Sequence, residues 1–117
     1  MAKVVHFEIP SDEPQKSMDF YANVFGWKFS KWGDEAYWLV EAGPEDAPGI
    51  NGAIIKKRAP EHPLTNSILV TDIDETIEAI KKNGCELVVP KTEFPQIGLL
   101  AYFKDPDGNL MGIWQKI

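Results

Sequence analysis

The sequence predicts an α+β fold built from two copies of one βαβββ module. Short stretches alternate apolar and polar residues in the manner of strands, and two stretches carry the three-and-four spacing of amphipathic helices. The same order of elements recurs at an offset of about 58 residues, so that Gly26 corresponds to Gly84 and Asn51 to Asn109. Each module alone would leave one sheet face uncovered, which is why two are expected together.

The first module, residues 3–58, opens with a strand over residues 4–9. Its odd-numbered residues are apolar, while His6 and Glu8 fall on the opposite face. The segment Ser11-Asp12-Glu13-Pro14 then begins a helix, because it offers capping side chains, acids for the positive helix end and a proline for the first turn. The apolar stripe predicted for this helix consists of Met18, Tyr21, Val24 and Phe25, and Gly26 ends it. Further strands are predicted at residues 27–31, 36–42 and 52–57.

A linker over residues 59–64, which holds two prolines, leads to the second module, residues 65–117. A strand at residues 66–71 precedes a helix that Asp72 caps, with Glu75 as its capping-box partner. Ile73, Ile77 and Ile80 form the predicted buried stripe, and Gly84 ends the helix. Strands are then predicted at residues 86–90, 99–103 and 110–115.

The composition excludes several classes of protein. A net charge of −6 over 117 residues argues against binding to nucleic acid, which requires a basic face, and against docking to anionic membranes. The single cysteine, Cys85, excludes an intramolecular disulfide and a cysteine-cluster metal site. No apolar stretch has the length of a signal segment or a membrane span, so we expect a cytoplasmic location.

Three short motifs resemble one known family. They are Phe20-Tyr21 followed by Gly26-Trp27 at the end of the first helix, residues 70–74 (VTDID) at the start of the second, and residues 105–109 (DPDGN) before the last strand. In order and spacing they resemble the glyoxalase/bleomycin-resistance/dioxygenase family, which has the vicinal oxygen chelate fold. The resemblance implies curved mixed sheets around a cleft, helices outside, and a homodimer.

Metal-dependent members of that family place one ligand on each of four strands. Carried over to this chain, the four positions fall on His6 and near Ile54, Thr65 and Gly112. Only His6 is an ordinary ligand, whereas a catalytic metal normally needs about three protein donors. We therefore expect neither a catalytic metal in the usual place nor another cofactor.

The same positions predict a mostly apolar cavity with a few polar groups. Residues two apart share a strand face, and Gly112 would leave room where the family has a carboxylate. The predicted catalytic residues are His6 and Glu8. The predicted ligand-binding residues are Trp38, Ile54, Lys56, Thr65, Ser67, Leu110, Gly112 and Trp114.

Each of these residues also has a structural interpretation. His6 is either a general base or hydrogen-bond donor, or a structural histidine, and Glu8 either orients that ring or is a solvated carboxylate. Lys56 either balances an anionic ligand or ends an exposed strand. The two hydroxyl residues, Thr65 and Ser67, either bind ligand or are satisfied within strands. The tryptophans either stack on a planar ligand or pack in the core.

Two functional hypotheses follow. The first is a metal-free protein that binds or sequesters a small apolar or aromatic compound, and the missing ligands favour it. The alternative is a lyase, isomerase or dioxygenase-like enzyme of the vicinal oxygen chelate type that uses His6 and Glu8 for proton transfer. Both take a small molecule as the partner.

Overall fold

The computed structural model describes residues 2–117 and contains the βαβββ order twice, which confirms the predicted α+β class. The elements are β1 Val4–Ser11, α1 Pro14–Phe25, β2 Lys28–Lys31, β3 Tyr37–Glu41, β4 Asn51–Lys56, β5 Thr65–Leu69, α2 Ile73–Lys82, β6 Glu86–Phe94, β7 Gly98–Lys104 and β8 Leu110–Lys116. Within the described residues, neither helix has the length and apolar character needed to cross a bilayer.

The chain divides into two units. The N-terminal unit is His6–Leu64, and the C-terminal unit comprises residues 65–117 together with the start of the chain as far as Val5. Strand β1 therefore contributes residues to both. Within the C-terminal unit, the backbone N–H of Leu69 donates to the carbonyl of Lys3 at 2.8 Å.

The sheet of the N-terminal unit has the strand order β2-β3-β4-β1, with β1 and β4 parallel and the other pairs antiparallel. Helix α1 covers one face of this sheet. The core between α1 and this sheet consists of buried Met18, Val40 and Ile54, with partly buried neighbours that include Phe7 and Trp38. Because successive side chains alternate between faces, His6 and Glu8 lie on the face away from α1.

The C-terminal unit repeats this arrangement. Its strands follow the order β5-β8-β7-β6, again with one parallel pair, β5 and β8, and two antiparallel pairs. Helix α2 contributes Ile73 and Ile77 to a core that also contains Ala101 and Ile113. The predicted repeat of one module is thus present in both element order and strand pairing.

The helix ends follow the predicted chemistry in most respects. The carboxylate of Asp72 accepts a hydrogen bond from the backbone N–H of Glu75 at 3.1 Å, as expected for the cap of α2. Pro14 occupies the first turn of α1, but the residue before the helix is Glu13, whose side chain makes no capping bond. Gly26 ends α1 in the left-handed region at φ 73°, which glycine adopts without strain.

The predicted apolar stripe of α1 is wrong at its C-terminal end. Met18 is buried and Tyr21 packs in the same core, but Val24 is 57% exposed and Phe25 is 60% exposed. Val24 lies about 120° around the helix from Met18, on its flank. Phe25 is in the last turn, where its ring approaches the rings of Tyr21 and Trp27 at centroid distances of 6.1 and 6.2 Å.

Strand β6 is longer than the sequence predicted. It continues past Pro90, the expected end, to Phe94, with register irregularities between Leu87 and Val89 and between Val89 and Thr92. Because β6 is the last strand in the order of the C-terminal sheet, a proline that cannot donate is tolerated there.

Candidate functional site

Three polar side chains form a continuous hydrogen-bonded chain on the α1-free face of the N-terminal sheet. The hydroxyl of Tyr37 donates to Glu8 Oε2 at 3.0 Å, and the hydroxyl oxygen of Tyr37 lies 2.8 Å from His6 Nε2. Glu8 is only 6% exposed. Strands β1 and β3 supply these residues from opposite sides of β4, so the Glu8–Tyr37–His6 chain spans three strands.

The direction of these bonds fixes the tautomer of His6. A phenol has one hydroxyl hydrogen, and Tyr37 gives it to Glu8. The contact between Tyr37 and His6 must then use the hydrogen on His6 Nε2, so Nδ1 of the neutral ring carries the lone pair. Within residues 2–117, no protein hydrogen bond reaches that Nδ1 atom.

Burial keeps this imidazole neutral. It lowers the pKa of His6 below the ordinary value of 6.5, and the charge of Glu8 only partly opposes the shift. At neutral pH, His6 therefore presents a hydrogen-bond acceptor or proton acceptor that the Glu8–Tyr37–His6 chain holds in one orientation.

The lowered pKa predicts a pH-dependent stability. As the pH falls below about 6.5, the unfolded chain takes up a proton on residue 6 before the folded protein does, so the free energy of unfolding decreases. We expect the melting temperature to fall between about pH 7.5 and about pH 5.5, and His6→Gln to reduce that dependence. Thermal unfolding followed by circular dichroism measures it. His62→Gln is the control. If the melting temperature of His6→Gln depends on pH as steeply as that of the control, the prediction is contradicted.

A cavity of about 370 Å³ adjoins the Glu8–Tyr37–His6 chain. Its lining residues are His6, Ser30, Leu39, Val40, Glu41, Asn51 and Gly52, all in the N-terminal unit. Asn51 is the β4 partner of His6 in register, and its Oδ1 accepts the backbone N–H of Ala42 at 2.9 Å. A second depression, of about 360 Å³ at the start of α1, contains none of the predicted site residues.

Three predicted ligand-binding residues of this unit lie away from the cavity lining. Ile54 is fully buried against α1, and Trp38 packs in the same core. The Lys56 ammonium lies at the end of β4, where it donates a hydrogen bond to the backbone carbonyl of Asp12. The physical reason is register: His6 pairs with Asn51, so the odd-numbered residues of β4 share the face of His6 and Ile54 points to the other.

The other predicted ligand-binding residues come together in the C-terminal unit. They are Thr65, Ser67, Leu110, Gly112 and Trp114, and alternation places them on the face of that sheet away from α2. Thr65 is 2% exposed and Ser67 is 3% exposed. The space beside Gly112 is filled by protein, because a Cβ there would lie 2.5 Å from Ser67 Oγ and 3.3 Å from Tyr102 Cε1.

This packing makes Gly112→Ala destabilising. We expect a loss of about 1–3 kcal/mol in the free energy of unfolding, since the added methyl group overlaps the Ser67 hydroxyl. Removing that hydroxyl in the double variant Gly112→Ala/Ser67→Ala should restore part of the loss. Urea denaturation of the two single variants and the double variant measures the coupling. Strictly additive effects would show that the two residues do not compete for the same space.

The donor set does not fit the metal that the family resemblance implies. Of the four carried-over positions, Ile54 and Gly112 have no donor atom in their side chains, and Glu8, on the same strand face as His6, already accepts a hydrogen bond from Tyr37. No group of three or more His, Cys, Asp or Glu side chains with metal-binding geometry occurs in the described part of the chain.

Of the residues that line the cavity, only His6 was predicted from the sequence as a site residue, and the two unpredicted residues that contact or pair with it are Tyr37 and Asn51. Tyr37 lies on β3, which is separated in the sequence from β1 by a helix and a strand, so only the sheet order brings it to His6 and Glu8. Asn51 was recognised as a repeat position but not as a neighbour of His6. In the run Tyr37-Trp38-Leu39-Val40 both strand faces are apolar, so the sequence has no alternation that would place Tyr37 beside His6.

A family model decides the relationship. The Glyoxalase/Bleomycin resistance protein/Dioxygenase superfamily matches residues 3–113. The chain belongs to this superfamily. In sequence, this superfamily member is 29% identical to a "Glyoxylase-like domain-containing protein" of Didymella fabae over 112 residues, which cover 91% of this chain and 88% of the relative.

Two further comparisons agree. The superfamily member is 24% identical over 115 residues to "Putative glyoxylase CFP32" of Mycobacterium tuberculosis, covering 92% of this chain but only 43% of that protein, so it spans less than half of that relative. The crystal structure of a superfamily member from Vibrio splendidus 12B01 superimposes with a TM-score of 0.72 at 16% identity, covering 99% of this chain and 100% of that one. At this identity the structural match shows the fold alone.

Proposed function

We propose that this superfamily member binds a small organic compound in the cavity beside His6. The observation that carries the proposal is the Glu8–Tyr37–His6 chain, which fixes one imidazole tautomer at a cavity wall. Burying the carboxylate of Glu8 costs desolvation energy, and a functional role would account for the ordering of Tyr37 and His6 beside it. A positioned acceptor inside a concave surface is a common feature of small-molecule sites.

The lining indicates a polar compound rather than the apolar or aromatic one predicted from the sequence. Four of the seven lining residues carry polar side chains: His6, Ser30, Glu41 and Asn51. Leu39 supplies apolar surface, with 38% of its own surface exposed. A ligand that satisfies the polar groups would be favoured, because each polar group covered without a partner costs about 1–3 kcal/mol.

A second candidate function is proton transfer, and the neutral state of His6 favours it. With its pKa lowered by burial, His6 Nδ1 can accept a proton from a carbon next to a carbonyl group, leaving the electron pair on the carbonyl oxygen as an enolate. Tyr37 and Glu8 would hold the resulting imidazolium in place through Nε2. The proton then returns to carbon.

Protein-observed NMR tests the binding proposal. Isotope-labelled protein is titrated with benzyl alcohol, catechol, benzamidine, benzoate and 2-pyrrolidone, and the backbone amides of Leu39, Glu41 and Asn51 are followed. We expect at least one probe to shift these amides in a saturable manner and to lose at least fivefold in affinity in His6→Phe. The matched control is His62→Phe, the only other histidine. If no probe shifts the cavity amides, the proposal is wrong.

Deuterium exchange tests the second candidate separately. Hydroxyacetone is incubated with the protein in D₂O, and the loss of its carbon-bound protons is followed by NMR. A catalysed exchange that slows at least tenfold in His6→Phe and not in His62→Phe would support proton transfer. Exchange at the rate of the protein-free solution, or equal rates in both variants, would leave binding as the function and exclude this candidate for that substrate.

A further inference from the structure

We infer that Asn51 and His6 together select a neutral amide edge, such as that of a lactam, an imide or a primary carboxamide. This inference rests on the proposed binding function and names its ligand class. The two side chains come from adjacent parallel strands, pair directly in register, and line the same cavity. A ligand at this place meets both of them at once.

The hydrogen-bond roles of the two side chains are fixed and opposite. Asn51 Oδ1 accepts the backbone N–H of Ala42 at 2.9 Å, which orients the amide and leaves its NH₂ group as the donor for the cavity. His6 Nε2 is committed to Tyr37, which leaves Nδ1 as the acceptor. From these roles and the register we infer a donor beside an acceptor on the cavity wall, so the complementary ligand carries a carbonyl oxygen beside an N–H.

The negative charge of the protein narrows the class of ligand further. Glu41, an acidic residue, lies in the same lining and is exposed. It disfavours an anionic ligand, as does the net charge of −6. A carboxylate ligand would also leave His6 Nδ1 opposite a second acceptor at neutral pH. A neutral amide meets neither penalty.

Matched probes test the donor and acceptor assignment. 2-Pyrrolidone presents both groups, N-methyl-2-pyrrolidone lacks the N–H, and γ-butyrolactone replaces it with oxygen. We expect 2-pyrrolidone to bind at least fivefold more tightly than either analogue, because a site built around a hydrogen bond rejects a ligand that cannot make it. Titration of the cavity amides by NMR gives the affinities.

An exchange of roles at residue 51 provides the decisive variant. Asn51→Asp keeps an oxygen that can accept the N–H of Ala42, but it turns the cavity donor into an acceptor. The affinity for 2-pyrrolidone should therefore fall at least fivefold, and the affinity for acetamidinium, which carries two donors, should rise. Asn83→Asp, with the same charge change at the C-terminus of α2, is the control. Tetramethylammonium, a cation without N–H groups, separates hydrogen bonding from charge.

The outcomes are distinct from those of the binding test. Equal affinity for 2-pyrrolidone and its N-methyl analogue, or no change of preference in Asn51→Asp, overturns the assignment of an amide edge. If catechol or benzyl alcohol shifts the cavity amides while 2-pyrrolidone does not, binding stands and this inference fails. If Asn83→Asp also gains affinity for acetamidinium, or if Asn51→Asp gains affinity for tetramethylammonium as well, charge alone explains the change and the inference also fails.

Discussion

Replacing Ile73 with alanine is expected to lower the free energy of unfolding by about 3–4 kcal/mol. Ile73 is fully buried and packs with Ile77, Ala101 and Ile113 in the core of the C-terminal unit. The truncation removes apolar contacts on every side and leaves a cavity that helix α2 cannot close without losing its own packing. For a protein of this size, the melting temperature should fall by about 10–15 °C.

The measurement compares Ile73→Ala with Ile97→Ala by urea and thermal denaturation. Ile97 is 44% exposed, so the same chemical change there should cost less than about 1 kcal/mol. Equal losses in the two variants would contradict the assignment of Ile73 to a closely packed core. If the slope of the free energy of unfolding against urea concentration is the same in the variants and the parent protein, the variants unfold in the same way as the parent.

Gly52→Ala is expected to lower the free energy of unfolding by a similar amount, about 3 kcal/mol, because it adds an atom where there is no space rather than leaving a cavity. Gly52 pairs with Phe7 across the parallel β1 and β4 strands, and an added Cβ would overlap the Phe7 carbonyl oxygen and lie 2.5 Å from its ring. The oxygen belongs to the backbone of a paired strand, so it cannot turn aside as a flexible side chain would. Relief requires β1 and β4 to move apart, and both line the cavity.

Two comparisons check this interpretation. Gly43→Ala is the control, because a Cβ at Gly43 would contact nothing within 4 Å and the residue has no left-handed backbone. It should change stability by less than about 0.5 kcal/mol. Adding Phe7→Leu to Gly52→Ala should fail to restore stability, since the backbone overlap persists. A restored double variant would show that only the ring obstructs the methyl group.

Local chemistry in the sequence was sufficient for the elements and for much of the core. The three-and-four spacing located Ile73 and Ile77 in a buried stripe, and the Asp72 cap formed as expected. These features depend on residues a few positions apart, where helix geometry dictates which side chains meet. Val24 and Phe25 departed from the pattern because burial at a helix end depends on where the sheet beneath it stops.

The candidate site was harder to predict because it depends on strand register. In the apolar run Ala53-Ile54-Ile55 both faces are equally hydrophobic, so alternation alone does not say which residue shares the face of His6. The sheet settles it, since Asn51 pairs with His6 and Ile54 consequently packs against α1. The partnership of His6, Glu8 and Tyr37 depends equally on β3 lying beside β4, which no short-range pattern encodes.

The hydrogen bond from Leu69 to Lys3 has a consequence for how the molecule is made. The acceptor precedes the N-terminal unit in the sequence and the donor follows it, so this hydrogen bond cannot form until the ribosome has passed residue 69. A polypeptide that started at Thr65 would carry four strands and a helix, yet it would lack Lys3, whose carbonyl accepts the backbone N–H of Leu69. The C-terminal unit therefore takes residues from both sides of the N-terminal unit in the sequence, and it is complete only after both have been synthesised.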